Sequence, residues 1–232
     1  MTMNLLRRPY ALLVQIARLP VARLQFHKHI NPQNIEPAFR YFTKRHPKYK
    51  IIGNKTLGAA LIELGRFTSG EQYLDSIKGK NLGGHHARRA KARGYRFVEI
   101  DRNDYIDDIH AINTSVDTRQ GRPMDAQYLE RTDRFSPIDN FRYYGVLDNG
   151  GQLRAYCNYG HYGNFGAFSQ LMGYRNNDGV MHLMLVEIIC KLIDERSVDY
   201  IMYDTFFGAQ PGLQQFKKIL GFAPYRAKYT LQ

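Results

Sequence analysis

Between Phe165 and Tyr229 the spacing of apolar positions changes period repeatedly, and the changes lay out a strand, helix, strand, helix, strand order. Phe165 to Tyr174 reads as a strand that meets the polar turn Arg175-Asn176-Asn177-Asp178-Gly179. Val180 to Glu195 follows as a helix apolar over most of its circumference, with Glu187, Lys191, Asp194 and Glu195 as its solvent stripe. Such a helix belongs under cover, as the crossover between two parallel strands. Val198 to Thr205 reads as the second of those strands. Pro211 opens a short helix with an apolar edge at Leu213, Phe216 and Leu220, and Gly221 is its left-handed stop.

Upstream, Tyr95 to Ile100 is a strand, and Asp101 is placed to cap a helix whose apolar face is Ile106, Ile109 and Ile112. A polar loop, Thr118 to Pro123, leads to a second short helix from Ala126 to Arg131. Phe141 to Leu147 and Leu153 to Tyr159 flank Asp148-Asn149-Gly150-Gly151, a hairpin signal, and Gly163-Asn164 turns the chain into the strand at Phe165. The order is strand, two helices, three antiparallel strands, helix, strand, helix, strand. Before it, Thr68-Ser69-Gly70-Glu71 matches a capping box opening the helix toward the basic run Arg88 to Arg93.

The turn before Val180 carries the first candidate chemistry. A strand–turn–helix unit points backbone N–H groups and the positive end of a helix dipole at whatever lies in front of it, which suits a phosphate-sized anion. Gly173, Arg175, Asn177, Asp178, Gly179 and Val180 are its candidate residues, with Asp178 expected to cap the helix. Ligands of open α/β sheets lie beyond the carboxyl ends of parallel strands, which adds Asp204 to Gly208 to the crevice.

This order of elements resembles the GNAT acyltransferase superfamily over roughly Tyr95 to Gln232. Phe216-Lys217-Lys218-Ile219-Leu220-Gly221-Phe222 is similar to the Phe-Lys-x-x-Phe-Gly ending of its Fem-type branch. Tyr73 to Lys78 with His86 to Gly94 is similar to the basic helix preceding the core in those proteins. The chain departs from the common GNAT pattern in two places: Arg175 and Gly179 stand one residue too far apart, and Lys217 occupies a place where a tyrosine often serves as general acid. The resemblance implies an α/β fold: a GNAT-like mixed sheet with antiparallel N-terminal strands, a parallel central pair and flanking helices. Residues 95–232 would form the acyltransferase domain. Residues 1–94 would be a basic helical extension packed on the core, with a strand hairpin near 50–66.

The implied activity is N-acyl transfer from acetyl-CoA, another acyl-CoA or an acyl-carrier thioester to the primary amine of a small anionic acceptor. The alternatives are a Fem-type enzyme using aminoacyl-tRNA, or a non-catalytic module binding nucleic acid or membrane through its basic part. Transfer needs a neutral amine, which for an alkylamine costs about 4 kcal/mol at pH 7. Asp204 is the candidate base or ammonium anchor, Tyr203 and Tyr225 are candidate proton donors, and a backbone N–H near Gly173 is the candidate oxyanion donor. Arg119, Gln120 and Arg122 surround a glycine in the loop that borders the acceptor pocket in GNAT-like proteins, where paired arginines would clamp a carboxylate or phosphate.

Charge and cysteine content refine this picture. Residues 1–100 hold 19 Lys and Arg against 5 Asp and Glu, while residues 101–232 hold 14 against 16, so the net +12 belongs to the first part. That asymmetry suits a polyanion, either tRNA or an anionic membrane surface. The segment from Leu5 to Ala17 is basic and apolar but shorter than the about 20 residues of a membrane span. A docking helix is the favoured reading there, with an interfacial helix as the other. Cys157 and Cys190 lie in apolar patterns and read as buried thiols in a reducing, cytoplasmic compartment, with attachment to the inner membrane face as a second placement. No metal-ligand spacing is present, and His27, His29, His85 and His86 read as part of the basic region.

Overall fold

The computed structural model describes residues 18–47, 50, 52–119 and 122–232; the segment from Leu5 to Ala17, with Gln120 and Gly121 of the arginine loop, lies outside the described residues. The chain runs through β1 (Val21–Phe26), α1 (Pro32–Thr43), β2 (Leu57–Glu63), α2 (Gly70–Ser76) and α3 (Gly83–Ala92). Then come β3 (Arg96–Glu99), α4 (Ile106–Thr114), the two-residue strands β4 (Thr118–Arg119) and β5 (Arg122–Pro123), and α5 (Ala126–Leu129). A meander of β6 (Phe141–Leu147), β7 (Leu153–His161) and β8 (Phe165–Gly173) leads to α6 (Val180–Glu195), β9 (Tyr200–Thr205), α7 (Pro211–Ile219) and β10 (Ala223–Leu231).

Eight strands form one mixed sheet in the order β1-β10-β2-β9-β8-β7-β6-β3. β8 and β9 are parallel, with α6 as the crossover between them, and the edge pair β1 and β10 is also parallel. Residues before Tyr95 therefore do more than pack on the sheet. β2 sits between β9 and β10, antiparallel to both, and β1 forms an edge. The hairpin expected near 50–66 is instead this single strand, preceded by an isolated bridge between Arg45 and Gly53. Its sequence, Leu-Gly-Ala-Ala-Leu-Ile-Glu, is apolar at consecutive positions and buried from Gly58 to Ile62, the pattern of a strand covered on both faces.

The two faces are covered differently. On one, α2, α3, α6 and α7 bury Leu183, Leu185, Ile188 and Ile189 against Val146, Cys157, Phe168, Leu171 and Ile201. On the other, α1 packs Ile35 and Phe42 on Phe26, Phe165 and Met202, while α4 and α5 pack Ile109, Ile112 and Tyr128 on Tyr156 and Met172. A register shift in β8 explains how Phe168 and Leu171 share a face. Asn158 opposes Gln170 and Tyr159 opposes Phe168, leaving Ser169 as a bulge residue outside the pairing register of β7.

Two caps differ from expectation by small shifts. Ser69, rather than Thr68, caps α2, accepting from the Gln72 N–H, and the Gln72 side chain reaches back to the Thr68 N–H at 2.7 Å. α2 ends at Ser76 and the basic run forms a separate helix, α3. Gly221 has φ 89° and ends α7 as expected. Cys157 is fully buried and Cys190 partly so, and both are free thiols.

Candidate active site

The turn from Tyr174 to Gly179 delivers the chain to the start of α6. Gly179 is the N-cap residue with φ 86°, a left-handed conformation that L side chains rarely adopt. A Cβ at Gly179 would lie 2.6 Å from the His86 carbonyl oxygen, so α3 crowds the turn and only glycine fits. Asp178 does not cap α6. Its carboxylate accepts from Arg93 Nη1 at 2.7 Å and from the Tyr95 hydroxyl at 2.8 Å, tying the turn to the end of α3. With no side-chain cap, the N–H groups of the first turn of α6 stay uncommitted, since the first intrahelical bond runs from Leu183 to Gly179 at 2.9 Å.

In front of this turn lies a cavity of about 750 Å³. Of the candidate residues in this segment, Gly173, Arg175, Asn177, Gly179 and Val180 line it and Asp178 does not, while α3 and α7 contribute His86, Arg89 and Phe216. The Arg175 guanidinium bonds the Thr118 carbonyl, so it braces the wall of the cavity. Residues 204–208 are not on this wall; the opposite side is formed by α3, α7 and Arg119.

β8 and β9 pair only between Phe165–Ala167 and Tyr200–Met202, and beyond those residues they diverge. The Tyr174 N–H bonds Arg154 of β7. In an antiparallel ladder bonded and non-bonded positions alternate, so the N–H groups of Leu171 and Gly173 face away from β7, into the gap. The backbone N–H of Gly173, the candidate oxyanion donor, thus points into the gap between β8 and β9.

A second cavity of about 560 Å³ opens on the other face, between α1, β9 and the arginine loop. Asp204, Arg119 and Arg122 all line it. Asp204 has φ 53°, uncommon for a residue other than glycine, and its carboxylate is ion-paired with Lys55. Arg119 donates to the Tyr128 hydroxyl at 2.8 Å, and Arg122 reaches Asp125 at 3.3 Å. Arg119 lines both cavities.

The two candidate proton donors part company. Tyr203 stands on β9 where the strands diverge, its ring packed edge-on to Phe168, Phe216 and Phe222. Burial raises its phenol well above the ordinary range, which makes it a weaker acid than expected. Tyr225 is buried in β10 opposite Ala59 and lines neither cavity.

Lys217, which departs from the usual GNAT tyrosine, is 1% exposed. Its Nζ donates to the Thr205 carbonyl at 2.8 Å and lies 4.6 Å from the centre of the Tyr203 ring. Burial pushes its ammonium down to about 8. The lysine was visible in the Phe-Lys motif, but its inward orientation was not. Lys55 and the His86–His182 stack gave no signal at all, because their roles depend on contacts between elements distant in sequence. Among the described residues no group of side chains could hold a metal ion, and no helix is long and apolar enough to cross a membrane.

No family model matches the chain, and no curated protein matches it. Solved structures do. FemX superposes with a TM-score of 0.51 at 12% identity, over 72% of this chain and 59% of FemX. The fold is GNAT-like, of the Fem kind. L-PGS from Bacillus licheniformis is also similar, at 14% identity with a TM-score of 0.46, over 73% of this chain and 61% of that one. A tandem GNAT protein from the clavulanic acid biosynthesis pathway is 15% identical with a TM-score of 0.44, over 73% of this chain and 50% of that one. The chain thus spans less than two thirds of each of these structures.

Proposed function

We propose that this protein is a GNAT-type N-acyltransferase that holds an anionic acyl carrier at the start of α6 and an amine acceptor in the cavity beside Asp204. The observation that carries the reading is the divergence of β8 from β9, with a cavity on either side and Arg119 lining both. Two substrates bound from opposite faces would meet at the gap, and holding them in register converts a bimolecular encounter into an intramolecular one.

In this reading the carrier's phosphates accept from the free N–H groups of α6 and from Arg89, which lines the cavity and whose guanidinium makes no hydrogen bond or ion pair among the described residues. The acyl carbonyl oxygen lies against the outward N–H groups of Leu171 and Gly173. Asp204 anchors the acceptor's ammonium and takes its proton, with Lys55 holding the carboxylate in place. The nitrogen lone pair attacks the carbonyl carbon, and the oxyanion that forms is held by the strand-edge N–H groups. Collapse reforms the carbonyl, breaks the bond to the carrier's sulfur or oxygen, and leaves a thiolate or alkoxide that takes up a proton. Lys217, protonated near neutral pH but easier to deprotonate than a surface lysine, supplies positive charge behind Tyr203 as that negative charge develops. Arg119 and Arg122 bind an anionic group of the acceptor.

The first choice of carrier is an acyl-CoA or acyl-carrier thioester. Aminoacyl-tRNA is the second, favoured by the unpaired Arg89 at the cavity and by the charge of residues 1–100. Ionic strength separates them. Binding of tRNA falls steeply with added salt because counterions are released, whereas coenzyme A competes saturably with a much shallower slope.

A further inference from the structure

The donor cavity holds a feature that anion binding alone does not require. His182, in the first turn of α6, stacks on His86 of α3 with ring centres 4.6 Å apart and planes 29° apart. Phe216 of α7 closes the other side of His182 at 4.7 Å, and all three rings line the cavity. His182 Nδ1 is buried without a hydrogen-bond partner. The charged surroundings are one-sided. On α3, His85 touches His86 with ring centres 5.6 Å apart, and Arg89 lies one turn on. Arg175 comes from the turn. The nearby carboxylates are engaged elsewhere, Asp178 by Arg93 and Tyr95, and Glu187 of α6 by Lys91 at 2.7 Å. α7 presents Phe216 to the pair.

We propose that the His86–His182 pair couples the donor cavity to protonation: a phosphodiester-bearing carrier draws one proton onto the stacked rings, so the cavity grips its carrier more tightly in mild acid and releases it as pH rises. The inference rests on the donor reading given above. Without an anion both imidazoles stay neutral near pH 7. Burial and His86 hold His182 down at about 4, while burial, His85 and Arg89 hold His86 below the ordinary value. A phosphodiester offsets Arg89 and helix-dipole repulsion and accepts from a charged ring, which favours the imidazolium. Two charges at this ring separation repel strongly, so the pair takes up one proton and not two.

The test is isothermal titration calorimetry on the full chain, in two buffers of different protonation enthalpy. The probes are dephospho-coenzyme A and a short RNA oligonucleotide ending in CCA, whose phosphodiester charges do not change in this range. The expected result at about pH 6 is uptake of roughly 0.2 to 0.8 proton per ligand, with affinity about three- to tenfold higher than at about pH 8. Response to the first probe alone assigns a coenzyme-type carrier, and response to the RNA alone assigns a nucleic-acid carrier; either supports the coupling. The double variant His86→Gln/His182→Gln should abolish the proton uptake. A ligand-induced rise in the pH midpoint of the imidazole resonances in the wild-type chain gives the same answer independently of whether that variant folds. Tight binding with no proton exchange and a flat pH dependence would overturn the coupling and leave the donor site standing. Absence of binding by both probes at either pH would overturn both.

Discussion

Gly179 presents to His86 a gap too small for a side chain: a Cβ there would lie 2.6 Å from the His86 carbonyl oxygen, at a backbone φ of 86°. Gly179→Ala therefore carries a strain cost of about 1–2 kcal/mol, read as a lower urea midpoint. Gly179→Asp carries similar strain and also puts negative charge in front of the free N–H groups of α6. Carrier affinity should fall at least about tenfold further in the Asp variant than in the Ala variant, because a like charge at a helix N-terminus opposes the bound anion. Equal affinities in the two variants would mean the anion binds elsewhere.

Arg119 and Arg122 should separate kinetically. Arg122 lines only the second cavity, so Arg122→Ala is expected to raise the acceptor KM with little change in kcat. Arg119 lines both cavities, and Arg119→Gln should raise the KM of both substrates and lower kcat as well. Steady-state kinetics with each substrate varied in turn decides the matter. An Arg119 variant impaired for one substrate alone would contradict its place between the cavities.

Lys217 predicts a stability difference that depends on pH. Its folded value of about 8 lies below the 10.5 of an exposed lysine. Between those values the unfolded chain binds more protons than the native one, so this lysine makes stability rise with pH across the window. Below about pH 8 both states are protonated and the native state bears the full cost, about 3 kcal/mol by linkage. Urea unfolding of the wild type against Lys217→Met should show the wild type gaining on the variant by about that amount from pH 8 to 10.5. The buried tyrosines titrate in both proteins and cancel. A constant difference across the window would place the Lys217 ammonium in solvent.

Asp178 should behave as a tie between turn and α3 rather than as a helix cap. A double-mutant cycle of Asp178→Ala with Arg93→Ala is expected to show a coupling of about 0.5–1 kcal/mol, the range for a partly exposed ion pair. Simple additivity would return the carboxylate to the capping role.

The second half of the sheet was legible because its signals are local. The apolar circumference of Val180 to Glu195, the Asp-Asn-Gly-Gly turn and the Gly221 stop each belong to a short window, and the observed elements match them. The turn ahead of Val180 was legible for the same reason. What escaped the sequence depends on long-range pairing. Leu57 to Glu63 looks like half of a hairpin until β9 and β10 flank it, and nothing in its own residues names those partners. Asp178 looks like a cap until Arg93 and Tyr95 come within reach. Tyr203 and Tyr225 read alike in sequence, yet one stands at the divergence of the strands and the other is sealed in β10 between β1 and β2. His86 read as one more exposed basic-region residue, because its stacking partner lies 96 positions away in the chain.

The central claim is that the uncapped start of α6 grips an anionic acyl carrier. Its most direct test is thermal unfolding of the wild type and of Gly179→Asp in the presence of acetyl-, malonyl- and long-chain acyl-coenzyme A and of total tRNA. At ligand concentrations about a hundredfold above Kd the wild type should be stabilised by about 2.7 kcal/mol, visible as a rise in Tm of several degrees, by one of the two carrier classes. The variant should lose that rise. No stabilisation by any carrier, or the same rise in Gly179→Asp, would contradict the claim.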